Sequence, residues 1–213
     1  MVDDDPVPGA VIVIAKTPQP GRVKTRLSPP LTLEQACDVA WASLTDTLIA
    51  AAAVPSRRHV LLLDGEPGAW VPPGFQVVAQ RGDGLAERLA AGFADVDDSA
   101  IVIAMDTPQV ESTSLGRALR ALQGGCPTVF GPAADGGFWL LGLAAGIVPN
   151  AVFDGIPMST PHTGSAQLAR LRSLGLPTLM LEELRDIDTI DDVLSVGASH
   201  PDTHLGRLVA SFH

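Results

Sequence analysis

Apolar positions follow two rhythms along the chain. Continuous runs at 11–15, 59–63 and 100–105 have the length and the Val/Ile/Leu content of strands buried on both faces. Shorter strand candidates occupy 76–79, 128–130, 138–143 and 178–181. Between them the spacing turns helical. Residues 33–53 follow Thr32, a good N-cap type, and 85–94 set Leu85, Leu89 and Phe93 on one face. Ser112 caps a helix to about 123, and 165–174 form another. Thr189 opens a last helix, with Asp191 and Asp192 in its first turn, where the helix dipole favours acids. A loop broken by proline and glycine spans 16–30.

Strands alternating with helices predict an α/β fold with a mainly parallel central sheet flanked by helices. Neither an internal repeat nor a low-complexity linker divides the chain. Residues 1–213 therefore read as one domain, with 1–8 expected to be flexible. Ligands in such sheets bind outside the carboxyl ends of the strands. The 16–30 loop and Asp106 both fall there.

Composition narrows the class. With 46% hydrophobic and 18% charged residues, the 213-residue chain is neither disordered nor a coiled coil. No apolar run approaches the ~18 residues of a membrane span. The opening Met1-Val2-Asp3-Asp4-Asp5 is too acidic for a signal peptide, so a cytoplasmic location is expected. Cys37 and Cys126 fit no disulfide or zinc spacing and read as buried free thiols. A net charge of −10 argues against a nucleic-acid binder. Yet the only lysines, Lys16 and Lys24, join Arg22 and Arg26 in a stretch from 6 to 33 that contains no acid. Such a positive island in an acidic chain suits a small polyanion, such as the phosphates of a nucleotide.

The chemistry-bearing residues lie in five segments. The loop from Lys16 to Leu27 has no G-x-G-x-x-G, and Val23 stands where a Walker A loop needs glycine before the lysine. A glycine loop with two lysines and two arginines can still wrap a triphosphate. Ala15, Lys16, Gly21, Arg22, Lys24, Thr25 and Arg26 are the nucleotide-binding candidates. Lys24 and Arg26 are the catalytic cations, set to neutralise charge developing at the α-phosphate. Gln80 and the backbone at Gly84 precede a helix and could read a base edge, or simply form its lead-in. Asp106, in Asp106-Thr107-Pro108, suits Mg²⁺, which takes few protein carboxylates and completes its shell with phosphate and water. A turn aspartate before proline is the alternative. Asp186 and Asp188 alternate onto one side of an extended segment, so either could complete a metal site, or Asp188 could cap the last helix. Asp135, Gly136 and Gly137 form a glycine-closed turn that could hold an acceptor. His162 lies in a 159–165 loop able to close over the site, and no Ser/His/Asp or Cys/His arrangement is evident.

These residues also resemble a family. The pattern Ala15-Lys16-x-Pro18-x-Pro20-Gly21-Arg22-Val23-Lys24-Thr25-Arg26-Leu27 is similar to the opening of the DUF2064 proteins, glycosyltransferase-like members of the GT-A, nucleotide-diphospho-sugar transferase superfamily. Gly84-Leu85-Ala86-Glu87-Arg88-Leu89, Met105-Asp106-Thr107-Pro108, Gly131-Pro132-x-x-Asp135-Gly136-Gly137-Phe138-Trp139 and Asp186-Ile187-Asp188-Thr189 match further blocks in order. The resemblance implies a Rossmann-like GT-A sheet, a nucleotide over the first loop, and a divalent metal, Mg²⁺ or Mn²⁺, on Asp106 and Asp188. Characterised relatives in the superfamily, the phospholactate guanylyltransferases among them, join an NTP to a phosphate and release pyrophosphate. Others transfer a sugar from a nucleotide-sugar. The chain departs at Thr107, where cysteine is usual, at Phe138-Trp139, where a tyrosine pair is usual, and at Met158, where tryptophan is frequent.

The expected function is a Mg²⁺-dependent nucleotidyltransferase that joins an NTP to a small phosphorylated acceptor. Glycosyl transfer from a nucleotide-sugar is the alternative, and a non-catalytic nucleotide-binding protein the second alternative. The cation-rich loop suits a triphosphate. Asp106 also lacks the partner of a D-x-D pair, since Ala104 and Pro108 flank it at two residues. The tail at 202–213 is apolar enough to pack on a second copy, as in a homodimer, or equally on its own domain.

Overall fold

In the computed structural model, residues 7–212 are described; residues 1–6 of the expected flexible start lie outside them. Seven strands form one sheet in the order β3-β2-β1-β4-β6-β5-β7. The central strand β1 (Val7–Lys16) pairs in parallel with β2 (Ser56–Asp64) and β4 (Ala100–Ala104). Beyond β2 lies β3 (Phe75–Ala79), also parallel. The other half comprises β5 (Thr128–Pro132), β6 (Phe138–Leu143) and the short edge strand β7 (Thr178–Met180).

β1 is apolar on both faces because both faces are covered. Val11, Val13 and Ala15 enter one core, with Leu44 and Leu48 of α1 (Leu33–Ala52) and Leu115 and Leu119 of α3 (Ser112–Gln123). Ala10 and Ile12 enter the other core, with Leu89 and Phe93 of α2 (Leu85–Val96), Val152 and Phe153 of α4 (Pro149–Phe153) and Leu171 of α5 (Thr163–Ser173). A third cluster joins Leu27 and Val39 to Val193 of α6 (Ile190–Ser199) and to Leu205 and Val209 of α7 (His204–Ala210). The described part of the tail thus packs on its own chain.

Two predicted caps form as capping boxes, Thr32 with Gln35 and Thr189 with Asp192. Other boundaries differ. Glu111 is the N-cap of α3 and Ser112 its first residue, while α5 begins at Thr163 rather than 165. α4 and α7 fall where no helix was expected, and β4 stops at Ala104, leaving Met105 beyond the strand. β6 runs antiparallel to both β4 and β5. The β5–β6 connection is a short turn, which can join only antiparallel neighbours, because a parallel pair needs a long crossover. That reversal matters for the site: it puts the Asp135 turn at the edge of the sheet where β1 and β4 end. Cys37 is buried and Cys126 half-buried, both as free thiols. Among the described residues no helix is long and apolar enough to cross a membrane.

Candidate active site

Three stretches of chain meet at that edge. The first is the loop after β1, where Lys24 has left-handed backbone angles, φ 47° and ψ 33°, and opens a single 3-10 turn, Thr25–Leu27. The second is Asp106, just past the end of β4. The third follows β7: the backbone N–H of Leu184 donates to the Pro132 carbonyl at 3.1 Å, and that of Ile187 to the Asp106 carbonyl at 3.0 Å. The last bond fixes Asp186 and Asp188 beside Asp106. Ile187, fully buried between them, turns both carboxylates outward, as the alternation predicts.

Lys24 is the hub. Its Nζ lies 2.7 Å from Asp106 Oδ1 and 3.1 Å from Asp188 Oδ1. Arg26 Nη1 reaches Asp188 Oδ2 at 3.3 Å from an exposed position. The Lys24 side chain is only 7% exposed, whereas Asp106 and Asp188 are 39% and 40% exposed and open to a ligand. Burial alone would lower the Lys24 pKa; the charges of Asp106 and Asp188 outweigh it and hold the ammonium above its ordinary value.

Asp135, Asp186 and Asp188 offer carboxylate oxygens that all lie within 4.8 Å of one another. Burial, and then the charge of Asp135, push the Asp186 carboxyl up to about 6. An oxygen-only donor set of this kind suits a hard divalent cation. Asp135, Asp186 and Asp188 thus form a group that could hold a divalent cation. Asp106 lies outside this group and, with Asp188, pairs to the Lys24 ammonium. Asp135, read from the sequence as an acceptor contact, lies beside these acids and also lines the smaller of the two cavities at the site. Nothing in its spacing announced this, because the contact depends on the direction of β6.

Two cavities share Asp106 and Asp188. One, of about 290 Å³, is lined by Lys16, Arg22, Lys24, Thr25 and Arg26 and is the cationic side. The other, of about 210 Å³, is lined by Asp135, Phe138, Met158, Ser159, Thr160 and the α2 residue Leu85, among others. None of its lining residues is a lysine or arginine.

The remaining candidates are placed less uniformly. Lys16 Nζ is 3.4 Å from Asp64, and Arg22 donates to Gln19 at 3.3 Å. Gly21 has φ +74° in the same loop. Gln80 is committed elsewhere: its Nε2 donates to the Ala15 and Leu62 carbonyls at 2.8 and 3.1 Å, and its Oε1 accepts from Arg88 at 3.1 Å. With both amide protons used, Gln80 ties the ends of β1 and β2 together and has no donor left for a base. Gly84 caps α2 with open space beside it. Gly136 admits the Pro161 carbonyl rather than a ligand. His162 stands at the N-cap of α5 and lines neither cavity.

The chain has the fold of a nucleotide-diphospho-sugar transferase and is a transferase, as the following likenesses show. It belongs to the family of uncharacterised proteins conserved in bacteria designated DUF2064, whose model matches residues 40–160. It is 32% identical to phosphoenolpyruvate guanylyltransferase from Roseiflexus sp. (strain RS-1) over 197 residues, 90% of this chain and 86% of that protein. A crystal structure of a candidate nucleotide-diphospho-sugar transferase from Desulfovibrio desulfuricans G20 superposes with a TM-score of 0.86 at 25% identity, covering 95% of this chain and 94% of that one. CMP:2-keto-3-deoxy-manno-octonic acid synthetase, solved with CTP, shares the fold at a TM-score of 0.59 and 14% identity over 91% of this chain and 98% of its own.

Proposed function

We propose that the chain is a divalent-metal-dependent nucleotidyltransferase that joins an NTP to a small phosphorylated acceptor, with GTP and phosphoenolpyruvate as the first pair to test. The observation that carries this reading is the meeting of Asp106, Asp188 and Lys24 where a cationic cavity and a cation-free cavity touch. Similarity to a phosphoenolpyruvate guanylyltransferase at 32% identity supports the choice of pair.

In this reading the triphosphate lies over Lys16, Gly21, Arg22, Thr25 and Arg26, and the acceptor enters the second cavity. Asp106 and Asp188 hold the metal, with Asp135 and Asp186 as further oxygen donors at the acceptor side. When bound, the metal would supply Lewis-acid charge to the reacting phosphates. An acceptor phosphate oxygen attacks the α-phosphorus, the new P–O bond forms, the α–β anhydride bond breaks and pyrophosphate leaves. Lys24 and Arg26 stabilise the charge that develops on the phosphates.

Glycosyl transfer is the second reading, favoured by the likeness to the Desulfovibrio protein. Product analysis separates the two. Pyrophosphate release from an NTP that requires both Mg²⁺ or Mn²⁺ and a phosphorylated acceptor supports nucleotidyl transfer. Release of a nucleoside diphosphate from a nucleotide-sugar, with no pyrophosphate from any NTP, would replace it.

A further inference from the structure

We propose that Lys24 closes the Asp106 and Asp188 oxygens to free divalent ions, so that metal reaches this pair only as a metal–nucleotide complex. This rests on the reading of Asp106 and Asp188 as the metal ligands.

The Lys24 ammonium lies on the same oxygens that a metal would need, Asp106 Oδ1 at 2.7 Å and Asp188 Oδ1 at 3.1 Å. A Mg²⁺ ion requires oxygens at roughly 2.0–2.1 Å and tolerates no cation inside its shell. Lysine and metal therefore exclude one another from this pair of oxygens. The lysine's seat is also a good one. With 7% exposure its charge is poorly solvated except by the two carboxylates, so leaving them without another anion is costly.

What lies on the other side of Lys24 decides which ligand can open the site. The adjoining cavity is lined by Lys16, Arg22, Thr25 and Arg26 besides Lys24 itself. A free metal ion would push the ammonium toward three other cations with no anion to receive it. Nucleotide phosphates bring that anion. They give Lys24 a new counter-charge as the metal takes its old one, and a flexible four-carbon stem lets the ammonium move a short way. The left-handed backbone at Lys24, φ 47°, is a conformation that a non-glycine residue does not adopt by its own preference. The loop is thus held in this arrangement by tertiary contacts, the burial of Leu27 and the ion pairs of Lys24 among them. Metal and nucleotide are consequently coupled, and the coupling is reciprocal.

The test is calorimetric titration of MnCl₂ alone, with no nucleotide, into wild type and Lys24→Met, with Mn²⁺ electron paramagnetic resonance as a second readout. Lys24→Met should bind free Mn²⁺ tighter by on the order of tenfold. Adding Asp106→Asn should remove that gain. Equal or weaker Mn²⁺ binding by Lys24→Met overturns the proposal. So does a gain that survives Asp106→Asn, since it would come from another site. A melting curve in EDTA checks that the variant is folded, and Lys24→Gln replaces it if it is not. The underlying reading is tested apart, by titrating the Mn²⁺–GTP complex into Asp106→Asn. Undiminished binding there removes the ligand assignment, whereas a loss there without a Lys24→Met gain removes only the closure by Lys24.

Discussion

The carbonyl oxygen of Pro161 fills the space in which a Cβ on Gly136 would stand, and Gly136 itself has φ +88°. The Gly164 N–H donates to the Gly136 carbonyl at 2.8 Å, so the Asp135 turn and the start of α5 are clamped together. This clamp brings Ser159 and Thr160 to the wall of the cavity that contains Asp135. Gly136→Ala should therefore cost about 2–4 kcal/mol, from an L-residue at positive φ and a collision with backbone that cannot swing aside. Gly84→Ala, where nothing lies within 4 Å, should cost under about 1 kcal/mol. Urea unfolding of the two variants checks the contrast. Equal stabilities would show that the turn repacks freely.

Asp106→Asn keeps the size of the side chain and removes the charge that meets Lys24 at 2.7 Å. Turnover with the metal–nucleotide substrate should fall by roughly 10²–10³-fold, because charge stabilisation at the reacting phosphates is lost. The melting temperature should also fall, since the buried Lys24 loses one of its two carboxylate partners, so turnover is read well below the variant's unfolding range. Steady-state kinetics beside a melting curve separates the effects. Wild-type turnover in a folded variant would remove Asp106 from the chemistry.

Much of this was legible because local chemistry decided it. The uninterrupted apolar run at 11–15 announces a strand covered on both faces, and Thr32 and Thr189 announce their helices by bonds closed within one turn. Lys24, Asp106 and Asp188 were legible as charges at strand ends, and the fold brings both carboxylates within 3.1 Å of the Lys24 ammonium. What stayed hidden depends on partners distant in sequence. An apolar strand such as 138–143 looks the same in either direction, so the reversal of β6 is not written in it. Asp135 reaches Asp186 only through that reversal. Gln80 looks like a free reader until its bonds to Ala15 and Leu62 are seen. α7 is too short to show a period and exists by docking on α1 and α6.

Asp192 gives the stability a defined pH dependence. Burial raises its pKa, but bonds from the Thr189 hydroxyl and N–H and the charge of Arg185 outweigh that, and the net shift is downward. A depressed carboxyl contributes stability that is fully present above its unfolded value and is lost as pH falls through the folded one. Asp192→Ala should thus cost about 1–2 kcal/mol at neutral pH, as the Asp192 half of the capping box and the Arg185 pair are lost. The gap from wild type should shrink below pH 3.8, where the unfolded group is protonated. Chemical unfolding at neutral and acid pH tests this. A gap that does not change with pH would assign the loss to packing rather than charge.

Asp46, on α1 and 7% exposed, holds α7 by its first turn. Its Oδ1 accepts from the backbone N–H of His204 at 2.8 Å and its Oδ2 from that of Leu205 at 3.0 Å. The His204 ring Nδ1 lies 2.8 Å from the same Oδ1. A buried carboxylate is tolerable here because it faces unpaired N–H groups and the positive end of a helix. Asp46→Ala would leave those donors without a partner, at a cost of about 2–4 kcal/mol. Because α7 meets the rest of the chain through Leu205 and Val209, the loss should appear first as local undocking. Amide hydrogen exchange should then speed up at His204–Ala210 before it does in β1 or β4. Asp46→Asn, which keeps one acceptor oxygen, should fall between the two. Unchanged protection of α7 in Asp46→Ala would mean that the apolar contacts alone hold it, and that the carboxylate is merely tolerated.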